Sequence, residues 1–194
     1  MNSIDDINNL PDDELIKRIK KGDEKCFEVL SNRYYPGVYT VVLSKIMDED
    51  LAKDIIQEVF VKVWEGLGKY KEKGSFRSWL YSITKNHITD YVRKNRSRKK
   101  YEIYTEESYP LDCQADSKNL LSALNQKEIG KYILKALKRL PDEQQEVFLM
   151  YYYFNIPVDD IAKKLKIPVG TVTSRLHLAR MKLREILKNW GIEP

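Results

Sequence analysis

The segment Ile156 to Leu187 constrains this chain more than any other. Val158, Ile161, Ala162 and Leu165 follow the i, i+3, i+4, i+7 spacing of an amphipathic helix. Lys166-Ile167-Pro168 interrupts it, because a proline disfavours helix at the residue before it. Val172, Leu176, Ala179, Leu183 and Leu187 then form the buried stripe of a second helix. Two helices on so short a turn make a helix-turn-helix, a shape whose second helix fits a DNA major groove. Most such pairs are only core, so the outward face decides. Ser174 and His177 point away from the stripe, with Gly170 and Thr173 beside them. Small polar groups near a helix start can approach base edges and phosphates closely.

Charge is unevenly placed. The 194 residues carry a formal net charge of +5, which favours a polyanionic partner only modestly. Between Arg77 and Lys100, however, basic residues are opposed by a single acid, Asp90, while the first sixty residues lean acidic. One basic surface and one acidic surface suggest two different partners, a nucleic acid and a basic protein. Cys26 and Cys113 lie far apart and offer no metal-ligand spacing, and His87 and His177 sit in no ligand or triad pattern. No catalytic signature, metal site or cofactor is expected. MNSIDDINNL lacks the basic and apolar parts of a signal peptide, and no apolar run approaches a membrane span. A reducing, cytoplasmic setting is the expectation.

Helical period continues through nearly the whole chain. The pattern predicts helices from Pro11 to about Gly22, from Asp23 through a kink at Pro36-Gly37, from about Asp50 to Leu67, and from Phe76 into the basic run. Lys69 to Ser75 reads as a polar loop. Tyr101 to Ser117 is acidic and without apolar period, the best linker candidate. Leu120 to Leu140 and Pro141 to Phe154 read as helices leading into the helix-turn-helix. The expected fold class is all-α: two small helical domains, residues 1–100 and 120–194, joined by a charged linker at 101–119.

Three motifs in this order carry a family resemblance. Asp50-Leu51-Ala52-Lys53-Asp54-Ile55-Ile56-Gln57-Glu58-Val59-Phe60, with Trp64, resembles the polymerase-binding helix of extracytoplasmic-function sigma factors, within the sigma-70 family. Gly74-Ser75-Phe76-Arg77-Ser78-Trp79-Leu80-Tyr81, then Asn86 and Asp90, is similar to their promoter-melting and −10-reading segment. Leu140-Pro141, Ile161-Ala162, Ile167-Pro168-Val169-Gly170-Thr171-Val172 and Ser174-Arg175-Leu176-His177 resemble their −35-reading domain. The resemblance spans roughly residues 12 to 188. It implies a non-enzymatic transcription initiation factor whose partners are core RNA polymerase, promoter DNA and an anti-sigma protein.

Each motif also has a physical reading. Asp54 and Glu58 are four residues apart, so both carboxylates share one helix face. That face is either simply solvated or is matched by a basic partner; the resemblance implies the clamp helices of core polymerase, with Asp54, Gln57 and Glu58 in contact. Lys71, Lys73, Gly74 and Ser75 form a loop before a helix that interleaves cations with Phe76, Trp79 and Tyr91. Cations hold phosphates and rings stack on unpaired bases, which suits single-stranded DNA. The resemblance implies that this loop captures a flipped −10 base, with Asn86 as a reader. Phe76, Trp79 and Leu80 read as core ahead of base contacts. Arg93, in the run to Lys100, suits phosphate contact. Gly170 and Thr171 start the recognition helix, where free amides can hold phosphate. Thr173, Ser174 and His177 are base-edge candidates, Arg180 flanks them, and Arg175 either reaches a phosphate or pairs within the domain.

Departures from the family pattern are local. Lys166 and Asn155 stand where glycine is frequent, and Pro157 where serine is. Thr173 and Leu178 occupy positions that are often basic, and Leu178 and Met181 point outward. The rival reading is a helix-turn-helix regulator with an N-terminal sensing or dimerisation domain. It leaves the acidic helix and the basic aromatic helix without a joint role.

Overall fold

Proline and carboxylates set several of the helix starts. The computed structural model describes residues 7–46, 48–71, 75–96 and 126–192, and every regular element among them is a helix. These are α1 (Asp12–Ile19), α2 (Glu24–Ile46), α3 (Glu49–Leu67), α4 (Phe76–Arg96), α5 (Gln126–Lys138), α6 (Asp142–Tyr152), α7 (Val158–Leu165) and α8 (Val169–Asn189). Pro11, Pro141, Pro157 and Pro168 each stand just before a helix, where a fixed φ near −60° costs nothing. The first turns of α1, α6 and α7 carry acids that suit the helix dipole. Only α8 of these four has none. α3 starts differently: the Asp48 carboxylate accepts from the amides of Asp50 and Leu51 at 3.1 and 3.0 Å, a cap worth about 1 kcal/mol.

The N-terminal body is built from α1 to α4. Ala52, Ile55, Ile56, Val59, Val63 and Leu67 form the buried stripe of α3 as the spacing predicts. Aromatic rings fill the space at the α3–α4 corner: Phe76 sits 5.4 Å from Tyr34, 5.9 Å from Tyr70 and 5.7 Å from Trp79, centroid to centroid. A β-carbon at Gly66 would come within 2.9 Å of the Trp79 ring, so this corner requires a glycine. Asp12 ties α1 to α2 by accepting from Arg33 at 2.6 Å and from the Tyr34 hydroxyl. Burial and that carboxylate both push the Tyr34 phenol up from its ordinary range.

The C-terminal body is α5 to α8. Val147, Met150, Phe154, Ile156, Ile161, Val172, Leu176 and Ala179 make its core. Gln145 is buried and donates to the Leu137 carbonyl at 2.9 Å, fastening α6 to the end of α5. The helix-turn-helix is α7 and α8. Lys166 closes α7 in the left-handed region (φ 55°, ψ 44°), and the Ile167 amide donates to the Ala162 carbonyl at 3.1 Å. A lysine there costs roughly 1 kcal/mol against glycine. Asn155 is also left-handed, at φ 49°. Both positions where the family pattern favours glycine therefore carry the backbone that glycine suits best.

The helix of Glu24–Ile46 runs unbroken through Pro36-Gly37. A mid-helix proline costs about 3 kcal/mol, and here Leu30 and Tyr34 before it and Val38, Val41 and Val42 after it all enter the same core. The helix expected from Leu120 is described only from Gln126, with residues 120–125 and the linker 101–119 outside the described residues.

The two bodies touch. α5 packs on α2, and α7 approaches α4. Across this seam Lys45 pairs with Asp142 at 2.8 Å, and Lys85 pairs with Glu146. Arg77 donates to the Asn155 carbonyl at 3.0 Å and Lys164 to the Ser82 hydroxyl. Phe154 is fully buried and meets Tyr81 edge to face at 5.3 Å.

Candidate nucleic-acid and protein interfaces

The outward face of α8 is polar because its apolar residues are spent inward. Val172, Leu176, Ala179 and Leu183 are buried, which leaves Gly170, Thr173, Ser174, His177 and Arg180 exposed on the remaining surface. Thr171 is half-buried, and its amide donates to the Pro168 carbonyl at 2.9 Å. No side-chain cap and no first-turn acid covers the start of α8. Its positive dipole end is thus open to an anion such as a phosphate. The Thr173 hydroxyl donates back to the Val169 carbonyl at 3.1 Å, which ties its rotamer to the backbone. Arg175 pairs within the domain here: its guanidinium bonds Glu143 at the start of α6. Leu178 and Met181 are 49% and 58% exposed, so both do point outward.

On α3, Asp54, Gln57 and Glu58 are all exposed, opposite the buried stripe. Glu58 has a neighbour from α4: its Oε2 lies 2.8 Å from Nε2 of the buried His87. Burial first, and then Lys62, hold the His87 pKa below its ordinary value, while Glu58 and Asp90 pull the other way. The contact is a close approach and not a hydrogen bond, and both ring nitrogens of His87 are buried without a hydrogen-bond partner among the described residues. Val61 and Trp64 were not singled out as contact residues by the sequence, yet they are 56% and 42% exposed. They continue the Asp54–Gln57 row at a 3-4-3 spacing, the seam of a helix that meets another helix. An exposed tryptophan in an acidic row was the available signal.

On α4 and the loop before it the placements diverge. Lys71 is exposed, and Ser75 is half-buried with its hydroxyl accepting from the Ser78 amide at 3.4 Å. Lys73 and Gly74 lie outside the described residues. Phe76 is 4% exposed and belongs to the core, so its ring is not presented to a base in this conformation. Trp79 is half-buried against it. Asn86 and Arg93 are exposed, and Arg93 pairs with Asp90 at 3.0 Å. These residues do not converge on one point; they line up along α4 as a strip. No group of His, Cys, Asp and Glu among the described residues could hold a metal, and no described helix is long and apolar enough to cross a membrane.

Comparison with known proteins matches two parts of the chain. Sigma-70 region 2 matches residues 30–98, and sigma-70 region 4 matches residues 130–183. The chain is 29% identical to the ECF RNA polymerase sigma factor SigW of Bacillus subtilis, over 90% of this chain and 95% of that protein. It is 26% identical to the RNA polymerase sigma-H factor of Pseudomonas aeruginosa, over 91% and 94%. Among solved structures, CnrH in complex with the cytosolic domain of CnrY shares the fold at a TM-score of 0.63 and 21% identity, covering 92% of this chain and 97% of that one. RpoE of Bartonella quintana, in complex with the anti-sigma factor NepR, matches at a TM-score of 0.56 and 24% identity, covering 79% and 91%.

Proposed function

This chain belongs to the extracytoplasmic-function group of the sigma-70 family and is an alternative sigma factor, and we propose that it reads a −35 element as duplex and a −10 element as melted strand. The observation that carries the reading is the uncapped, acid-free start of α8, with Ser174 and His177 exposed beside it. Thr173, Ser174 and His177 meet base edges, while Gly170, Thr171 and Arg180 hold phosphates. Arg175 acts from behind by fixing α8 to α6 through Glu143. Each good base contact is worth about 1–3 kcal/mol of discrimination.

The N-terminal body, proposed as residues 1–100, does the rest. Asp54, Gln57 and Glu58, extended by Val61 and Trp64, dock on core RNA polymerase. Lys71, Lys73, Gly74 and Ser75 admit an unpaired base, Asn86 reads along the strand, and Arg93 follows its phosphates. Phe76 supports that pocket from the core side. Residues 120–194 form the −35 domain. An anti-sigma protein is a further proposed partner, as RpoE of Bartonella quintana was solved with the anti-sigma factor NepR. The factor works where polymerase is, in the cytoplasm. The bonds of the RNA are made by the polymerase.

The test is reconstitution. Core polymerase, this protein and the DNA upstream of its own gene are combined, and transcripts are mapped. A defined start that depends on the protein supports the reading. Absence of both core binding and initiation refutes it and favours a free-standing helix-turn-helix regulator.

A further inference from the structure

The outward face of α8 is not uniformly polar. Leu178 and Met181 are 49% and 58% exposed on it. With Ser174 they follow an i, i+4, i+7 spacing, so the three form one ridge opposite the buried stripe of Val172, Leu176, Ala179 and Leu183. A single exposed leucine is ordinary surface. Here the apolar pair continues the row of Ser174, with Leu178 about one helical turn, roughly 6 Å, beyond it. Cations flank the ridge: Lys182 on one side, Arg180 and Arg184 on the other, all exposed. Glu185 is exposed where the ridge continues, so a polyanion is favoured along it only up to Met181. An apolar ridge between two lines of cations matches a major groove, whose floor of base edges lies between two phosphate strands. A helix of another protein would ask instead for an interface centre depleted of charge.

Leucine carries no side-chain donor or acceptor, so it can recognise only shape and apolar surface. In the major groove the C5-methyl of thymine is the apolar group among the base edges; the other bases present donors and acceptors there. Under a leucine those polar groups would lose water and gain no partner. Resting on the −35 reading above, we propose that Leu178 reads the C5-methyl group of one thymine in the −35 duplex, with Met181 shielding the contact from water. The two side chains are i, i+3 neighbours, close enough to enclose one methyl between them. Leu178 stands where the family pattern is often basic. This chain therefore exchanges a charge that any phosphate would satisfy for choice at one base pair.

Uracil differs from thymine by that methyl alone. The full chain is assembled with core polymerase on the promoter duplex from upstream of its own gene, and each thymine of the −35 element is replaced in turn by uracil. At one position the replacement is expected to weaken binding roughly fourfold, the worth of one buried methyl. Leu178→Ala is expected to bind thymine and uracil alike at that position. Leu178→Lys is expected to erase the preference too, and to steepen the salt dependence by about 0.9 in log–log slope. The side chain is exposed, so neither change threatens the fold. A thymine preference that survives Leu178→Ala overturns the assignment. Weaker binding of Leu178→Ala to core polymerase in the absence of DNA overturns it in favour of a protein contact. Replacing the whole −35 block separates the two claims. No effect of the block refutes the −35 reading itself, whereas a block effect with no uracil-sensitive thymine refutes the role of Leu178 alone.

Discussion

The two bodies solve the same packing problem with different materials. The N-terminal body uses long helices, α2 to α4, and closes its corner with Tyr34, Tyr70, Phe76 and Trp79. The C-terminal body uses shorter helices around a mainly aliphatic core with the single buried ring of Phe154 among the described residues, and α8 alone is long. As a result the aromatic residues of α4 serve the core first, whereas α8 leaves Thr173, Ser174 and His177 exposed beside the apolar Leu178 and Met181. On the proposed function, the same demand of presenting side chains to DNA is met in one body by a strip along a helix and in the other by a single helix start.

The most severe test of the contrast is Phe154→Ala. The ring is fully buried and joins both bodies through Tyr81, so its removal is expected to cost about 3–5 kcal/mol in denaturant unfolding. A cost below 1 kcal/mol would mean the ring is not shared. Next is reversal of Asp54 and Glu58 to lysine. Core polymerase affinity is expected to fall at least tenfold, about 1.4 kcal/mol, while binding of the full chain to a −35 duplex without polymerase stays unchanged. Equal loss of both would erase the division of labour. His177→Ala is expected to remove about 1–3 kcal/mol of preference at one base pair of the −35 element, read by competition with single-base variants. A uniform loss across all sequences would reassign His177 to the phosphates.

Smaller effects separate the bodies further. Lys166→Gly is expected to stabilise the C-terminal body by roughly 1 kcal/mol, by relieving its left-handed backbone. Asn155→Gly is expected to give less, since asparagine tolerates that region better. In the N-terminal body, acid acts through His87, which faces Glu58, Lys62 and Asp90. Its folded pKa lies below its unfolded value near 6.5, so between those two values the unfolded chain binds more protons. Stability therefore falls as pH drops from about 6.5 towards the folded pKa. Amide exchange at pH 7.5 and 5.5 is expected to show the loss in α3 and α4, and His87→Gln to flatten it.

Much of this was written locally. The stripes of α3, α7 and α8 follow their helical periods because each buries one face only, and the left-handed Lys166 falls where the pattern breaks before Pro168. The helix could be followed through Pro36, but what offsets the proline was not legible, since those apolar contacts come from helices remote in sequence. For the same reason the Gly37 approach was hidden: a glycine beside a proline reads as a breaker until the Tyr153 carbonyl is seen against it. Among the candidate contacts, α8 was readable because exposure there follows from its own stripe. Arg175 was not, because its partner Glu143 sits on another helix.

The acids of α6 have one more effect. Asp142 and Glu146 meet Lys45 and Lys85 as DNA phosphates would. A lysine already neutralised from within displaces no counterion when it nears a duplex. Each such pair that stays closed should flatten the salt dependence of random DNA binding by about 0.9 in log–log slope. The C-terminal acids thereby serve as internal stand-ins for the polyanion.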